Sequence, residues 1–298
     1  MREPKCRFGA VADACLRGTL VALLLVSGMS CSRQPVQLGA AEDTGPALET
    51  GEASEEHITL DVWVPCAYAS AMTQLSTLFE EQHPSVKLSQ RVENVAVLAP
   101  RILEGESPDV FMCVGDVELK ALEKADRVDY RQDFCFVDIG LVTPKGNPAG
   151  VHSLKDLAKD SVKKVGVGVE EISVGYYARQ MLKDARVWER VKDKVVEAEM
   201  PIRLLQMAGQ AEVEASLAYA VCLRAEKGDV HKKFGLKLEL ADELDNDFCM
   251  TIACPAISAK GCAHPQEARQ FIDFLTTEEA QKVISEYGFM TLKEPKCY

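Results

Sequence analysis

Apolar residues recur along this chain with a strand-like period that gives way repeatedly to a helix-like period. The first strand-like stretch alternates at four apolar positions: Ile58, Leu60, Val62 and Val64. Pro65 ends it, and a helix-like stretch follows with one apolar face: Met72, Leu75, Leu78 and Phe79. Asp109 to Val114 is a continuous apolar run, which is typical of a strand buried in a parallel sheet. This order of strands and helices predicts an α/β fold.

The most informative stretch is Val165 to Val195. It begins with a short apolar strand, Val165 to Val169, turns through Glu170 to Ser173, and continues as a helix from about Gly175. The free N–H groups at a helix start, together with the helix dipole, attract anions. The alternative interpretation is a plain strand–turn–helix unit without a ligand.

Two apolar runs predict that the chain passes twice between two halves of the fold. The first is Phe134 to Thr143 and the second is Phe248 to Ala253. We expect a hinge near Phe136–Leu141 and Phe248–Cys254, with the two runs side by side. Between them, Ala215 to Cys222 is predicted as a strand.

The N-terminus predicts export. Residues 1–31 combine basic residues with a short apolar run, which fits a signal peptide rather than a membrane span. Cys31 is a candidate for lipidation, although Gly28 departs from the usual Leu of that signal. Soluble export and a retained N-terminal anchor are the alternatives. Residues 32–57 are polar and small, which predicts a flexible linker.

Charge and length limit the possible partners. The 298 residues carry a formal net charge of −12, which argues against nucleic acid because phosphate binding needs a basic surface. A small anion is not excluded, since local N–H groups set the field inside a cleft. We see no second membrane segment, so a lipid anchor is the predicted membrane contact.

Cysteine and histidine patterns predict no resident metal or cofactor. The chain has 11 Cys and 5 His, but it has no Cys-x-x-Cys pair and no His pair at metal-ligand spacing. Some cysteines are expected to pair after export, with Cys249, Cys254 and Cys262 as the first candidates. Cys113, Cys135 and Cys222 are instead expected to be small buried hydrophobes on strands. Cys66 stays open as a thiolate ligand for a soft metal. We find no Ser–His–Asp arrangement and no phosphate-cradling loop, so an enzyme is not expected.

Five segments together resemble one family. They are Ile58–Phe79, Leu103–Phe111, Leu141–Pro148, Gly168–Glu199 with its Gly175-Tyr-Tyr-Ala-Arg and Trp188, and Glu286–Phe289. In this order they are similar to the periplasmic molybdate-binding proteins of ABC importers, over roughly residues 58–292.

The resemblance implies a two-lobed α/β fold with the ligand cleft between the lobes. Each lobe would be a mixed, mostly parallel sheet flanked by helices. Lobe I would comprise residues 58–140 plus 250–298, and lobe II residues 141–249. The implied function is that of a monomeric, extracytoplasmic solute-binding protein that delivers molybdate or tungstate to an ABC permease.

Candidate ligand-binding residues follow from the strand ends, because ligands of open α/β sheets bind outside the carboxyl ends of the strands. They are Cys66, Ala67, Tyr68, Asn94, Val95, Ser173, Val174, Gly175, Tyr176, Pro201 and Tyr219.

The family's ligand donors carry over only in part. Tyr219 falls at the family's tyrosine, but Ala67 replaces its first serine and Asn94–Val95 its second. Each lost bond to a charged ligand costs about 1.5–3 kcal/mol. Asn94 or Tyr68 would have to replace them. The alternative is the same fold with a changed ligand, an organic solute or a soft metal, or a sensor role.

Overall fold

The computed structural model describes residues 57–224, 227, 234–241 and 250–293. Its strands are β1 Ile58–Val64, β2 Val86–Val92, β3 Val110–Met112, β4 Val128–Val137, β5 Ile139–Pro144, β6 Val165–Gly168, β7 Val195–Ala198, β8 Ala215–Tyr219, β9 Leu238–Leu240 and β10 Ile252–Ala259. Its α-helices are α1 Ala69–Gln82, α2 Val95–Leu103, α3 Val117–Lys124, α4 Ser173–Asp184, α5 Trp188–Val191, α6 Pro201–Gly209, α7 Val221–Arg224, α8 Pro265–Phe274 and α9 Glu278–Glu286.

The strands form two five-stranded sheets with the same pattern. The first has the order β2-β1-β3-β10-β4, and we call the part built on it lobe I. The second has the order β7-β6-β8-β5-β9, and we call the part built on it lobe II. In each sheet three parallel strands lie beside a fourth that runs antiparallel to its neighbours. Ligands of open α/β sheets bind outside the carboxyl ends of the parallel strands, and each lobe has such an edge.

The sheet of lobe I is covered on both faces. Along β1, Leu60 and Val62 belong to the main apolar cluster, whereas Trp63 faces the other side with Leu98 and Phe111. All five side chains are buried. Two-sided burial explains why the sequence pattern becomes a continuous apolar run at the end of this strand.

The crossing between the lobes is shorter than the sequence pattern suggests. Instead of one strand over Phe134–Thr143, the chain makes β4 and β5 in different sheets, with only Asp138 between them. The sheet of lobe II therefore begins at Ile139, slightly before the predicted boundary between the lobes at Leu141. The side chain of Asp138 accepts a hydrogen bond from Arg224 at 2.6 Å.

The two predicted crossing runs lie side by side over Cys135–Val137 of the first and 252–254 of the second. Ile252 pairs with Val137 and Cys254 pairs with Cys135 in an antiparallel register. Residues 242–249 lie outside the described residues, so Phe248 and Cys249 are not placed. This adjacency is what the hinge prediction requires, while the hinge motion itself stays a prediction.

One predicted strand ends early. Ala215–Cys222 was expected to be extended throughout, but β8 stops at Tyr219 and Cys222 lies in α7. The reason is local: the N–H of Ala220 bonds to Asp138 O, and the N–H of Leu223 then bonds back to Ala220 O. The backbone thus leaves the sheet as soon as it reaches the crossing.

The predicted export signal, including Cys31, and residues 32–56 of the predicted linker lie outside the described residues. Within the part of the chain that the structure describes, none of the helices is both long and apolar enough to span a membrane.

Candidate functional site

The turn from β6 into α4 is the most crowded backbone in lobe II. The helix begins at Ser173, slightly earlier than predicted, and Gly175 lies in its first turn. A Cβ on Gly175 would collide with the carbonyl oxygens of Val169 and Gly168. The first turn of the helix therefore packs directly on the strand end, and a residue without a side chain is required there.

Arg179 holds this turn from inside the lobe. Its side chain is buried and donates to the carbonyl oxygens of Gly168 and Gly175, the latter at 3.2 Å, and it also pairs with the carboxylate of Glu197. Buried carbonyl groups need such donors, because an unpaired one costs free energy. Arg179 is thus a structural support of the site, and its charge is already matched by Glu197.

The donors at the start of α4 hold an oxyanion in this structure, the side chain of Glu118 from lobe I. The backbone N–H of Ser173 donates to Glu118 Oε1 at 3.1 Å, and the Ser173 hydroxyl donates to Glu118 Oε2. The same hydroxyl oxygen accepts from the N–H of Val117 at 3.1 Å. Burial raises the pKa of the Glu118 carboxyl, while the bonds from Ser173 oppose that rise. The start of α4 therefore binds a carboxylate across the cleft.

Further contacts join the same part of lobe I to lobe II. We call Val114–Lys120 the interlobe segment. Its Val114 O accepts from the Tyr219 hydroxyl at 2.8 Å, and its Asp116 accepts from the Tyr177 hydroxyl. Its Lys120 lies over the Tyr176 ring at 5.4 Å. The interlobe segment therefore closes lobe I onto the predicted ligand residues of lobe II.

These contacts also perturb the tyrosines of lobe II. Burial, followed by the charge of Glu118, raises the pKa of Tyr219 well above its ordinary value. Burial and the bond to Asp116 raise the pKa of Tyr177. Both hydroxyls therefore stay protonated at neutral pH and act as donors.

The corresponding strand end of lobe I is organised differently. Cys66 is exposed and Ala67 half-buried in a short 3-10 turn, whereas Tyr68 is buried. The Tyr68 hydroxyl donates to Cys113 O at 2.9 Å, and its ring stacks on Phe289 with centroids 4.6 Å apart. The Tyr68 hydroxyl, which could replace a missing serine, therefore donates its hydrogen bond within lobe I.

The remaining predicted residues lie at helix starts. Asn94 caps α2, its side-chain oxygen accepting from the N–H of Ala96 at 3.0 Å, and the next residue, Val95, is buried. Val174 is buried in the first turn of α4. Pro201 opens α6 and has no N–H to offer a ligand.

The described residues do not assemble a metal centre. Among them, no three His, Cys, Asp or Glu side chains are grouped closely enough to hold an ion. Cys66, the thiolate kept open from the sequence, is exposed. The soft-metal alternative thus gains no group of three such ligands from the described part of the chain.

The interlobe segment was missed in the sequence. The candidate residues from the sequence lie at the ends of β1, β2, β6, β7 and β8, and none lies at the end of β3, although β3 is parallel to β1 in the same sheet. The available signal was Gly115-Asp116 directly after a buried apolar run, with Glu118 two residues further on. The strand-end rule applies there as well.

Comparison with known proteins defines the class. Residues 60–290 match the family model of the bacterial extracellular solute-binding proteins. The chain belongs to this family, so its function is to bind a solute outside the cytoplasm. The family resemblance and the two-lobed α/β architecture predicted from the sequence are thereby confirmed.

Three relatives place the chain within that class. It is 24% identical over 91% of its length to YvgL of Bacillus subtilis, a provisional ABC transporter substrate-binding lipoprotein, and covers 95% of that protein. It is 22% identical over 76% of its length to the molybdate-binding protein ModA of Haemophilus influenzae, covering 88% of it. The solved structure of the sulfate-binding protein SubI from Mycobacterium tuberculosis superposes with a TM-score of 0.66 at 15% identity, over 80% of this chain and 88% of SubI.

Proposed function

We propose that this chain is the substrate-binding component of an ABC importer and that its solute is a small tetrahedral oxyanion, molybdate or tungstate. The observation that carries the proposal is the oxyanion already held at the start of α4. Two neutral donors of Ser173, its N–H and its hydroxyl, bind the Glu118 carboxylate. Such a donor set, placed at a helix N-terminus, suits any oxyanion of similar size.

The position of this donor set also supports the proposal. Ser173 follows the carboxyl end of β6, in the middle of a row of parallel strands, where ligands of α/β sheets bind. Tyr219 ends the neighbouring strand β8 and brings a third neutral donor to the same edge. Named relatives include molybdate binders, and their low identity means that the ligand assignment rests mainly on this geometry.

Ligand binding at this site requires two groups of lobe I to withdraw. The Glu118 carboxylate must leave Ser173, and Val114 O must release the Tyr219 hydroxyl. Both groups belong to the interlobe segment, so a single rotation of the lobes about the crossing at Asp138 would free all three donors together. An entering dianion would then replace an internal monoanion, with the lobes closing over it.

Calorimetric titration of the purified chain tests the proposal. We expect molybdate and tungstate to bind with one site per chain and with sub-micromolar affinity, and sulfate to bind more weakly. Ligand binding should also raise the melting temperature, by an amount that grows with the logarithm of the ligand concentration above Kd. An absence of heat and of thermal stabilisation at millimolar molybdate and tungstate would overturn the oxyanion assignment.

A second candidate solute is a small organic anion with a carboxylate. The specific observation in its favour is that the group held by Ser173 is itself a carboxylate. The same titration with acetate, lactate and succinate distinguishes the two candidates. Saturable binding of one of these acids, with no competition from molybdate, would select the second candidate.

We also propose that a lipid on Cys31 holds the protein at the outer face of the membrane and that residues 32–57 act as its tether. The composition of the N-terminus and the lipoprotein relative support this arrangement. Mass spectrometry of the mature N-terminus tests it. A diacylated Cys31 is expected, and an unmodified N-terminus created by cleavage elsewhere would contradict it.

A further inference from the structure

Two cysteines of lobe I face each other across neighbouring strands. Cys135 in β4 is the direct register partner of Cys254 in β10, and both side chains are fully buried. In this structure both carry thiols. We propose that Cys135 and Cys254 form a disulfide in the exported protein, a covalent link between the two strands that lead into the lobe crossings.

The distance between the two strands suits such a bond. Directly opposed residues of an antiparallel pair have Cα atoms about 4.5–5.5 Å apart. Disulfides span Cα separations of about 4.4–6.8 Å, so the bond needs little backbone movement. The thiols are already close: contact with the Cys254 thiol, after burial, is the second cause that raises the pKa of Cys135.

Side chains alternate between the two faces of a sheet, and this alternation favours a bond between Cys135 and Cys254 over a bond to Cys113, the third buried cysteine nearby. Cys135 and Cys254 pack in the main apolar cluster, on the face of the sheet that also holds Tyr68. The Tyr68 hydroxyl lies 3.7 Å from Cys135 Sγ. Cys113 packs in the other cluster, on the opposite face, with Trp63. Side chains on opposite faces of a sheet cannot be bridged without breaking the strand.

The sequence had pointed to a different set. Cys249, Cys254 and Cys262 are close along the chain, but Cys254 and Cys262 are separated by the length of β10 and the turn after it. Cys249 lies outside the described residues. The proposed partner of Cys254 is 119 positions away, at Cys135 on the adjacent strand, and spacing in the sequence does not reveal such a neighbour.

The reaction is a thiol–disulfide exchange with an exported oxidoreductase, whose own disulfide is the oxidant. The thiolate of one cysteine attacks that disulfide and forms a mixed disulfide, releasing one thiol of the oxidoreductase. The second cysteine then attacks the mixed disulfide, which releases the other thiol. The two cysteines lose two electrons and two protons in total, and the oxidoreductase gains them as two thiols.

Burial fixes the time at which this exchange occurs. Burial raises the pKa of the Cys135 thiol well above its ordinary value, so little thiolate exists once lobe I has folded. The bond therefore forms while β4 and β10 are still accessible, during folding after export. Once formed, it is shielded from reductants for the same reason. Extracytoplasmic compartments supply the oxidising conditions that the exchange requires.

Peptide mapping of the full chain, isolated from the envelope of its native bacterium, tests the proposal. The protein is alkylated in denaturant without reductant, digested and analysed by mass spectrometry. We expect one cross-linked peptide pair containing Cys135 and Cys254, and alkylated Cys113. Alkylation of both Cys135 and Cys254, or a bond from either one to Cys113, Cys249 or Cys262, overturns the proposal.

A reduction experiment on the same protein adds a second readout. We expect millimolar dithiothreitol to leave the Cys135–Cys254 bond intact in the native protein and to reduce it fully in denaturant. Reduction in denaturant should lower the melting temperature after refolding under reducing conditions by several degrees. Equal rates of reduction in native and denatured protein would contradict a bond buried between β4 and β10.

Discussion

The two lobes place a strand–turn–helix unit at the same position of the same sheet pattern, yet they use it differently. In lobe I, β1 leads through Pro65 and the Cys66–Tyr68 turn into α1, and the Tyr68 hydroxyl is donated inside the lobe. In lobe II, β6 leads into α4, and both donors of Ser173 point across the cleft to a carboxylate.

This difference divides the site into two roles. Under the proposed function, lobe II would supply neutral donors for an anion, while lobe I supplies Glu118, the group that the anion would have to displace. In this structure the Glu118 carboxyl occupies the position that we propose for the solute. The comparison suggests that affinity is set by the donors of one lobe and by the competitor from the other.

The largest expected effect comes from filling the crowded turn of lobe II. Gly175→Ala should lower the free energy of unfolding by about 3 kcal/mol or more, because its Cβ collides with two backbone carbonyls that cannot yield. Gly261→Ala is the control: its φ is +82°, but nothing lies within 4 Å, so about 1–2 kcal/mol is expected. Urea denaturation measures both, and equal losses would mean that the turn is not crowded.

Removing the buried support of the same turn should have the next largest effect. Arg179→Gln leaves the Gly168 carbonyl and the Glu197 carboxylate short of a partner, for an expected loss of about 2–4 kcal/mol. Glu197→Gln should cost less than about 1 kcal/mol, because the Glu197 side chain is 58% exposed. A larger loss for Glu197→Gln than for Arg179→Gln in urea denaturation would contradict this assignment.

Much of the fold was predictable because local patterns decided it. The first strand with its end at Pro65, the helix with Met72, Leu75 and Phe79 on its buried face, and the short strand that begins at Val165 all appear where the sequence predicted them. Each depends on residues a few positions apart, so the short range of sequence reasoning was sufficient.

The closure of the site was not predictable in the same way. Glu118 and Ser173 are 55 positions apart, and Val114 and Tyr219 are 105 apart. Only the arrangement of two sheets brings these residues together. The break at Asp138 was also not predictable from the sequence. The residues on both sides of it are apolar, so the pattern does not show that the chain passes from one sheet to the other there.

A smaller effect, on ligand affinity, is expected when a hydroxyl donor is added to the strand end of lobe I. Ala67→Ser restores a hydroxyl where the related family has its first serine, and it should tighten molybdate binding about 10-fold, or about 1.4 kcal/mol. Ala69→Ser, two positions along in α1, is the matched control and should leave the affinity unchanged. Calorimetry measures both. An unchanged affinity for Ala67→Ser would place the strand end of lobe I outside the site.

The smallest effect concerns pH and stability. Because the folded-state pKa of Glu118 is raised, the folded protein binds its proton more tightly than the unfolded chain does. The stabilisation that comes from protonated Glu118 is therefore complete at pH values below the ordinary pKa of glutamate. It is lost as the pH rises through the raised pKa of Glu118 in the folded protein. Glu118→Gln should gain stability relative to the wild-type chain between pH 4 and pH 7, as measured by urea denaturation. A difference that does not change with pH would contradict the raised pKa.

The groups that face Glu118 define the controls for that titration. They are Asp116 on its own segment, Cys113 just after β3, and Ser173, Tyr177 and Tyr219 of lobe II. Asp116→Asn should therefore be measured in parallel, since the charge of Asp116 also raises the pKa of Glu118.

Calorimetric titration of Glu118→Gln with molybdate shows whether the solute competes with Glu118 for the start of α4, as we propose. Binding should be at least about 10-fold tighter than for the wild-type chain, because the neutral amide does not repel a dianion. Glu170→Gln removes an equal charge from the turn before α4 and should leave the affinity within about twofold. Unchanged or weaker binding by Glu118→Gln would contradict the claim.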